Sequence, residues 1–365
     1  MITVTKPDLP PLEEYIEYLK KIWANRWLTN NGEILQLFER KLREYLKVEN
    51  LLCVVNGTLA LHCAIKALGL KGEVITTPFT FPATTNVIIW EGLTPVFADI
   101  DRQTFNIDPE DVERKITNKT SAILAVHTYG NPCHVEELEE IAESYNLKII
   151  YDAAHAFGCE YKGRSVLNYG DISTLSFHAT KVFHTIEGGA ITVKSMNLFE
   201  KLKLMINHGI KSEDEFILPG TNAKMNEFQA AMGLCNLKYF DEKIKKRKMI
   251  YEYYKEKLGD MDVEFQKVIA SKYNYAYMPV LFKSKNMRDK VYEELLKNGI
   301  KSRKYFYPLT TSMAHFRHLD LAAKYGLKVA SEISSRVLCL PLYADLDLES
   351  VDRVVEIIRR TLKNV

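Results

Sequence analysis

The chain has 365 residues, more than one hydrophobic core usually organises, so a large and a smaller domain are expected. Its 49 Lys and Arg nearly balance 47 Asp and Glu, and the two signs are interspersed, which argues against a nucleic-acid stripe or a lipid-binding cluster. Apolar runs such as "SAILAVH" (121–127) are too short to span a bilayer and the N-terminus shows no signal-peptide core, so a cytoplasmic protein is expected. The six cysteines (Cys53, Cys63, Cys133, Cys159, Cys235 and Cys339) form no CxxC pair and mostly sit in apolar runs. That pattern reads as reduced core thiols.

In chain order, a helix around 12–24 is expected to pack away from the sheet core. From residue 50 the pattern alternates. Strands are predicted at 50–55, 73–77, 95–100, 121–127, 148–153, 172–177 and 190–193, with helices at 56–68, 81–92, 109–116 and 134–146. Continuous apolar strands alternating with amphipathic helices predict a mostly parallel α/β sheet covered on both faces. A long helical segment, or two helices, follows at 226–258. Beyond it come a strand at 273–282 and helices at 286–299 and 348–363. Residues 1–245 are therefore expected to form the large domain and 246–365 a small α+β domain.

Open α/β sheets bind ligands at the carboxyl ends of their strands. "NGT" (56–58) follows a strand and opens a helix, which suits a phosphate, although alone it reads as an ordinary N-cap. No GxxxxGK[ST] and no GxGxxG follows a strand, which removes the main support for nucleotide-binding alternatives. Asp152 in "IIYDAAHAFG" emerges at the end of an apolar strand. A buried carboxylate there needs a partner, such as a protonated heteroaromatic nitrogen, or it caps a short helix. His155 lies three residues on and reads either as a ligand contact or as a structural histidine. Ser176 ends another strand, and Lys181 lies on the loop after it, in "SFHATKVFHTIEGGAI". A partly desolvated lysine can act as a nucleophile toward a carbonyl. Together these are the parts a pyridoxal phosphate (PLP) site requires, with Phe79 or Phe81 of "TPFTFPAT" (77–84) as an apolar slab for the ring. The spacing of His155, His178, His184 and Asp152 matches no metal-binding pattern, and no metal is expected.

The segments "NGTLALHCAIKALG", "YDAAHAFG", "GDISTLSFHATKVFHTIEGGAI", "NAKMNEFQAAMG" and "LCLPLY" occur in that order. With "LTNNGEILQLFERKLREYL" and "ITTPFTFPATTNVIIWEGLTPVFADID" they make the chain resemble the DegT-type nucleotide-sugar aminotransferases over essentially its whole length. These are PLP enzymes of the aspartate-aminotransferase-like fold, fold type I. The resemblance implies that Lys181 is the covalent anchor of the cofactor and its proton carrier. It implies that Asp152 holds the pyridine nitrogen protonated, that Gly57, Thr58 and Ser176 bind the phosphate, and that Phe81 stacks on the ring. His155 stands where the family often has glutamine, against the ring hydroxyl. Asn222 would reach the phosphate of a neighbouring subunit, which implies a homodimer with shared sites. Lysine rather than histidine at 181 favours transamination over the related sugar dehydratases.

Within the family the chain looks closest to the viosamine-type enzymes, which aminate C4 of dTDP-4-keto-6-deoxyglucose with glutamate as the expected donor. The product would feed a surface polysaccharide such as O-antigen, or a glycosylated metabolite. Alternatives are a C3 aminotransferase or a non-catalytic DegT-type regulator. Arg303, Lys304, Tyr305 and Tyr307 of "KSRKYFYPL" (301–309) are candidates for contacts with the large anionic substrate.

Overall fold

The computed structural model describes residues 1–316 and 321–363. Its seven predicted strands assemble into one sheet. Across that sheet they run Asn50–Val54, Gly189–Val193, Ile172–Ser176, Lys148–Asp152, Thr120–Val126, Glu73–Thr76 and Thr94–Phe97. Five of them pair in parallel, and only Gly189–Val193 runs antiparallel to its neighbours. The register sets Val126 beside Asp152 and Asp152 beside Thr174, while Gly189 lies opposite both Ser176 and Val54. Four chain segments therefore meet at one edge of the sheet, where the parallel strands end.

The strands read as apolar runs because both faces are covered. On one face Val54, Ile172 and Ile191 are buried together with Ala60 and Ala64 of the helix Gly57–Leu68 and Leu202 of the helix Met196–Met205. On the other, Ile75, Val96, Ile123, Ile149 and Tyr151 pack with Val135 and Leu138. Each fully buried aliphatic side chain of this kind contributes about 1.5–3 kcal/mol.

The helix Leu12–Asn25 lies on the long helix near the C-terminal half, away from the sheet, as expected: Trp23 meets Phe228 edge-on and Glu14 binds Lys238 and Tyr239. The segment 226–258 is one helix, Glu227–Leu258, opened by a reciprocal cap between Asn226 and Gln229. Residue 245 lies within it.

Two elements differ from the sequence reading. The helix Glu33–Leu46 is absent from the predicted elements although Ile34, Leu35, Phe38, Leu42 and Leu46 line one buried face. Its N-cap is Gly32, which has no side chain to cap with. The carboxylate of Glu227 accepts from the N–H groups of Ile34 (2.9 Å) and Leu35 (3.2 Å) instead, so the start signal lies far away in sequence.

The strand predicted at 273–282 covers only Met278–Phe282. Residues before it are held irregularly. Asn274 donates to the carbonyls of His155 and Phe157, Arg247 donates to those of Tyr275 and Ala276, and Tyr275 has φ of 51°. Side chains there satisfy backbone groups that a strand ladder would otherwise pair.

The strand Met278–Phe282 lies between Val263–Phe265 and Val337–Leu340 in a three-stranded antiparallel sheet packed by Lys285–Lys297, and Leu348–Lys363 packs in turn on that helix and on Glu227–Leu258. Among the described residues no helix is long and apolar enough to cross a membrane.

Candidate active site

A cavity of about 390 Å³ opens at the strand ends. One corner is built by backbone. Asn56 caps the helix Gly57–Leu68 by accepting from the N–H of Leu59 (2.8 Å), and the N–H groups of Gly57 and Thr58 ahead of it have no intrahelical partner. A Cβ at Gly57 would lie 2.9 Å from that of Ser176, and one at Gly189 would lie 2.8 Å from the nitrogen of Gly57. Only glycines allow three segments to converge this closely. The resulting corner is small, positively polarised and carries the hydroxyls of Thr58 and Ser176, which suits a phosphate.

Asp152 stands at the end of its strand, buried within the same cavity. Its carboxylate accepts from the Thr84 hydroxyl (2.8 Å) and the Ala154 N–H (3.1 Å), and Thr80 in turn bonds Thr84 (2.9 Å). Burial pushes the carboxyl above its ordinary range; Thr84, Ala154 and the charge of Lys181 oppose that push. Lys181 sits on a loop closed by two backbone bonds, from Phe177 N–H to the Gly188 carbonyl (2.8 Å) and from Thr185 N–H to the Phe177 carbonyl (2.9 Å). Its amine has no hydrogen-bond partner among the described residues. Burial lowers it to about 8, against the opposing pull of Asp152.

The imidazole of His155 stacks on Phe306 (5.8 Å between centroids) and meets the edge of Tyr277 (5.0 Å). Its Nδ1 is buried without a partner, and burial holds the ring neutral. Phe81 lies half-exposed at the mouth of the cavity. Phe79, the alternative slab, is fully buried against Phe105, Tyr129 and Phe306 and does not reach it. The two lie in the bend between the strand Glu73–Thr76 and the helix Pro82–Trp90, which turns one inward and the other out.

Arg303 and Tyr305 line the cavity, whereas Lys304 and Tyr307 do not. All four line an adjoining space of about 440 Å³ that shares Phe81, Arg303 and Tyr305 with the first. Asn222 lies outside, exposed and bridged to Asn207. His178 stands at the rim, 3.5 Å from Glu187, and His184 points into the interior. Among the described residues no cluster of three His, Cys, Asp or Glu could hold a metal. Sequence reading missed Thr84, Tyr277 and Phe306. Thr84 carried a weak signal, a hydroxyl one turn into a helix that starts at a strand end. Tyr277 and Phe306 reach the cavity from the C-terminal part and had none.

A phosphate-sized backbone cradle, a strand-end acid and an unpaired amine in one cavity, on this sheet, define an aspartate-aminotransferase-like PLP enzyme. The orphaned Nδ1 of His155 and the glycine-walled corner are places such a cofactor would fill. The chain belongs to the DegT/DnrJ/EryC1/StrS aminotransferase family, whose model matches residues 12–359. It is 46% identical over 363 residues, 98% of both chains, to a dTDP-4-amino-4,6-dideoxy-D-glucose transaminase of Shigella dysenteriae. It is 32% identical over 351 residues, 95% of each chain, to a dTDP-3-amino-3,6-dideoxy-alpha-D-galactopyranose transaminase of Aneurinibacillus thermoaerophilus. Among solved structures, DesI in the presence of its TDP-sugar product matches with a TM-score of 0.93 at 33% identity, covering 100% of this chain and 93% of that one. The protein is a PLP-dependent aminotransferase.

Proposed function

We propose that the enzyme transfers the amino group of glutamate to C4 of dTDP-4-keto-6-deoxy-D-glucose, giving dTDP-4-amino-4,6-dideoxyglucose. The observation that carries this reading is the unpaired amine of Lys181 sharing one cavity with Asp152 and the backbone cradle at Gly57. The 46% identity to a transaminase of that amino sugar supports the position aminated.

Bound PLP supplies a carrier for the amino group and an electron sink for carbanion chemistry. Gly57, Thr58 and Ser176 hold its phosphate. Asp152 keeps the pyridine nitrogen protonated, and Thr84 and Ala154 aim the carboxylate that does so. Lys181 anchors the cofactor's aldehyde carbon. When it is not bonded to the cofactor, its amine would accept and return protons as general base and then acid, a role suited to an amine that burial lowers to about 8. Phe81 and His155, which both line the cavity, would cover a face of the ring and meet its hydroxyl.

Asn222 completes the site of a neighbouring copy, so the working unit is a homodimer in the cytoplasm. Residues 1–245 form the cofactor-binding part and 246–365 the smaller part. Arg303 faces the substrate's diphosphate. The amino sugar goes to a surface polysaccharide.

Incubation with glutamate and dTDP-4-keto-6-deoxyglucose, followed by mass and NMR analysis, tests the reading. Nitrogen on C4 is expected. A product aminated only from the 3-keto isomer overturns it in favour of the C3 activity carried by the Aneurinibacillus relative.

A further inference from the structure

The loop that carries Lys181 is pinned by a residue that takes no part in the cavity. His184 is 2% exposed, and both its ring nitrogens are engaged. Nδ1 accepts from the N–H of Ile186 (3.2 Å), and Nε2 lies 2.8 Å from the carbonyl oxygen of Asp8, with the Asn236 amide nitrogen farther off at 3.4 Å. A backbone N–H can only donate and a carbonyl can only accept. The two shorter contacts, both to backbone, are met together by a neutral ring with its proton on Nε2.

Each contact has a structural consequence. Ile186 has φ of 72°, a left-handed conformation that is unfavourable for a β-branched residue and persists only where its surroundings over-determine it. His184 supplies part of that constraint. Thr185 and Gln229 supply more, both donating to the carbonyl of Glu187 (2.6 and 2.7 Å), and the Asn236 amide holds the carbonyl of His184 (2.9 Å).

The Asp8 contact reaches further. Residues Ile2–Thr3 pair in parallel with Ile300–Lys301, and the carbonyl of Val4 accepts from Leu342 N–H (3.1 Å). The N-terminal segment thus runs as a strap from the chain just before Arg303, Tyr305 and Phe306 to the loop that carries Lys181. Both regions contribute to the cavity wall.

We propose that His184 is a positioning residue for Lys181: its ring locks the turn at Ile186 and ties the lysine loop, through Asp8, to the N-terminal strap. This rests on the reading of Lys181 as the cofactor's anchor. Without the ring, the loop keeps its backbone closure but loses the bonds that hold it in register with the C-terminal wall. The amine then samples positions from which it does not capture the aldehyde.

The test compares full-length wild type, His184→Ala and His184→Asn in the PLP-free form. Asn can present an oxygen near the position of Nδ1 but cannot reach Asp8. Three quantities are read: the PLP dissociation constant, the rate at which borohydride fixes PLP to Lys181, and the unfolding midpoint without PLP. For His184→Ala a PLP dissociation constant raised about tenfold is expected, the size of one well-made hydrogen bond, with trapping slowed in parallel. His184→Asn should fall between Ala and wild type, with an unfolding midpoint close to that of wild type.

Wild-type PLP affinity and trapping in both variants overturn the proposal. So does an Asn variant no better than Ala whose affinity falls only in step with its unfolding midpoint, because the ring then merely fills space. If His184→Ala does not fold, His184→Asn decides alone: weakened PLP binding at an unchanged midpoint supports the proposal, and wild-type binding overturns it. Wild type that takes up no PLP at Lys181 refutes the reading of the site itself, a result distinct from any difference among the variants.

Discussion

Two cavities in this molecule each hold a carboxyl group that burial raises, one partly buried and one buried, and the larger is not the one with the chemistry. The space of about 520 Å³ beside the edge strand Asn50–Val54 is lined by Glu39, Arg40, Arg43, Lys203 and Lys224. Glu39 accepts from the N–H of Cys53 (2.7 Å), and burial pushes it to about 7. Asp152, in the smaller cavity, is also raised by burial. The difference lies in what faces each group. Glu39 sits mid-helix against one backbone N–H, whereas Asp152 stands at a strand end with two donors fixing it, an unpaired amine near it and a phosphate-sized corner in the same space. Convergence of complementary groups marks the site, and cavity volume does not.

That contrast can be tested from its strongest point downward. Lys181→Ala should lower transamination about ten-thousand-fold or more and abolish borohydride fixation of PLP, because the residue both anchors and moves protons. Retained activity would mean that the amine is incidental.

Asp152→Asn should lower turnover on the order of a hundred- to a thousand-fold, as expected for one preorganised charge. It should also shift a pH profile. Only the neutral amine attacks an aldehyde, so PLP uptake by the wild-type PLP-free protein should rise with pH and level off above about 8. Asp152 stabilises the charged amine, so removing its charge should move that midpoint downward. Stopped-flow uptake across pH measures both.

Gly57→Ala should weaken PLP binding roughly tenfold, since the new Cβ meets Ser176 at 2.9 Å and overpacking of this kind costs about 1–3 kcal/mol. Equilibrium titration with PLP checks it.

Glu39→Gln should leave activity unchanged and alter only stability. A carboxyl raised from 4.5 to about 7 in the folded state binds a proton that the unfolded chain has lost, so wild-type stability falls as pH rises across that window. The variant should be free of that loss, at most about 3.4 kcal/mol above pH 8 for a shift of this size. Denaturant melts at acid and alkaline pH would show the gap, and its absence would mean that Glu39 is solvated.

Much of this was legible in the sequence because it is local. The strand and helix alternation follows from short-range hydrophobic periodicity, and every strand of the main sheet falls within a few residues of its predicted range. Asp152 and Ser176 could be placed at strand ends because a strand ends where its apolar run stops. Thr84, Tyr277 and Phe306 could not be found this way. They reach Asp152 and His155 from 68 or more residues away in the chain, through the order of strands and the path of the C-terminal part. Nor did the pattern at 33–46 announce its helix start, since Glu227 supplies the cap from across the fold.

The sequence by itself determined that this is a mostly parallel α/β protein, and that Lys181, Asp152 and the helix start at Gly57 belong to one family of sites. These features depend on residue type and on near neighbours. Only the tertiary structure decided that Phe81 rather than Phe79 reaches the cavity, that the larger cavity lacks a converged set, and that His184 faces the N-terminal strap. The physical reason is sequence distance. Such contacts form only once the sheet has brought remote segments together, and no local propensity encodes which segments will meet.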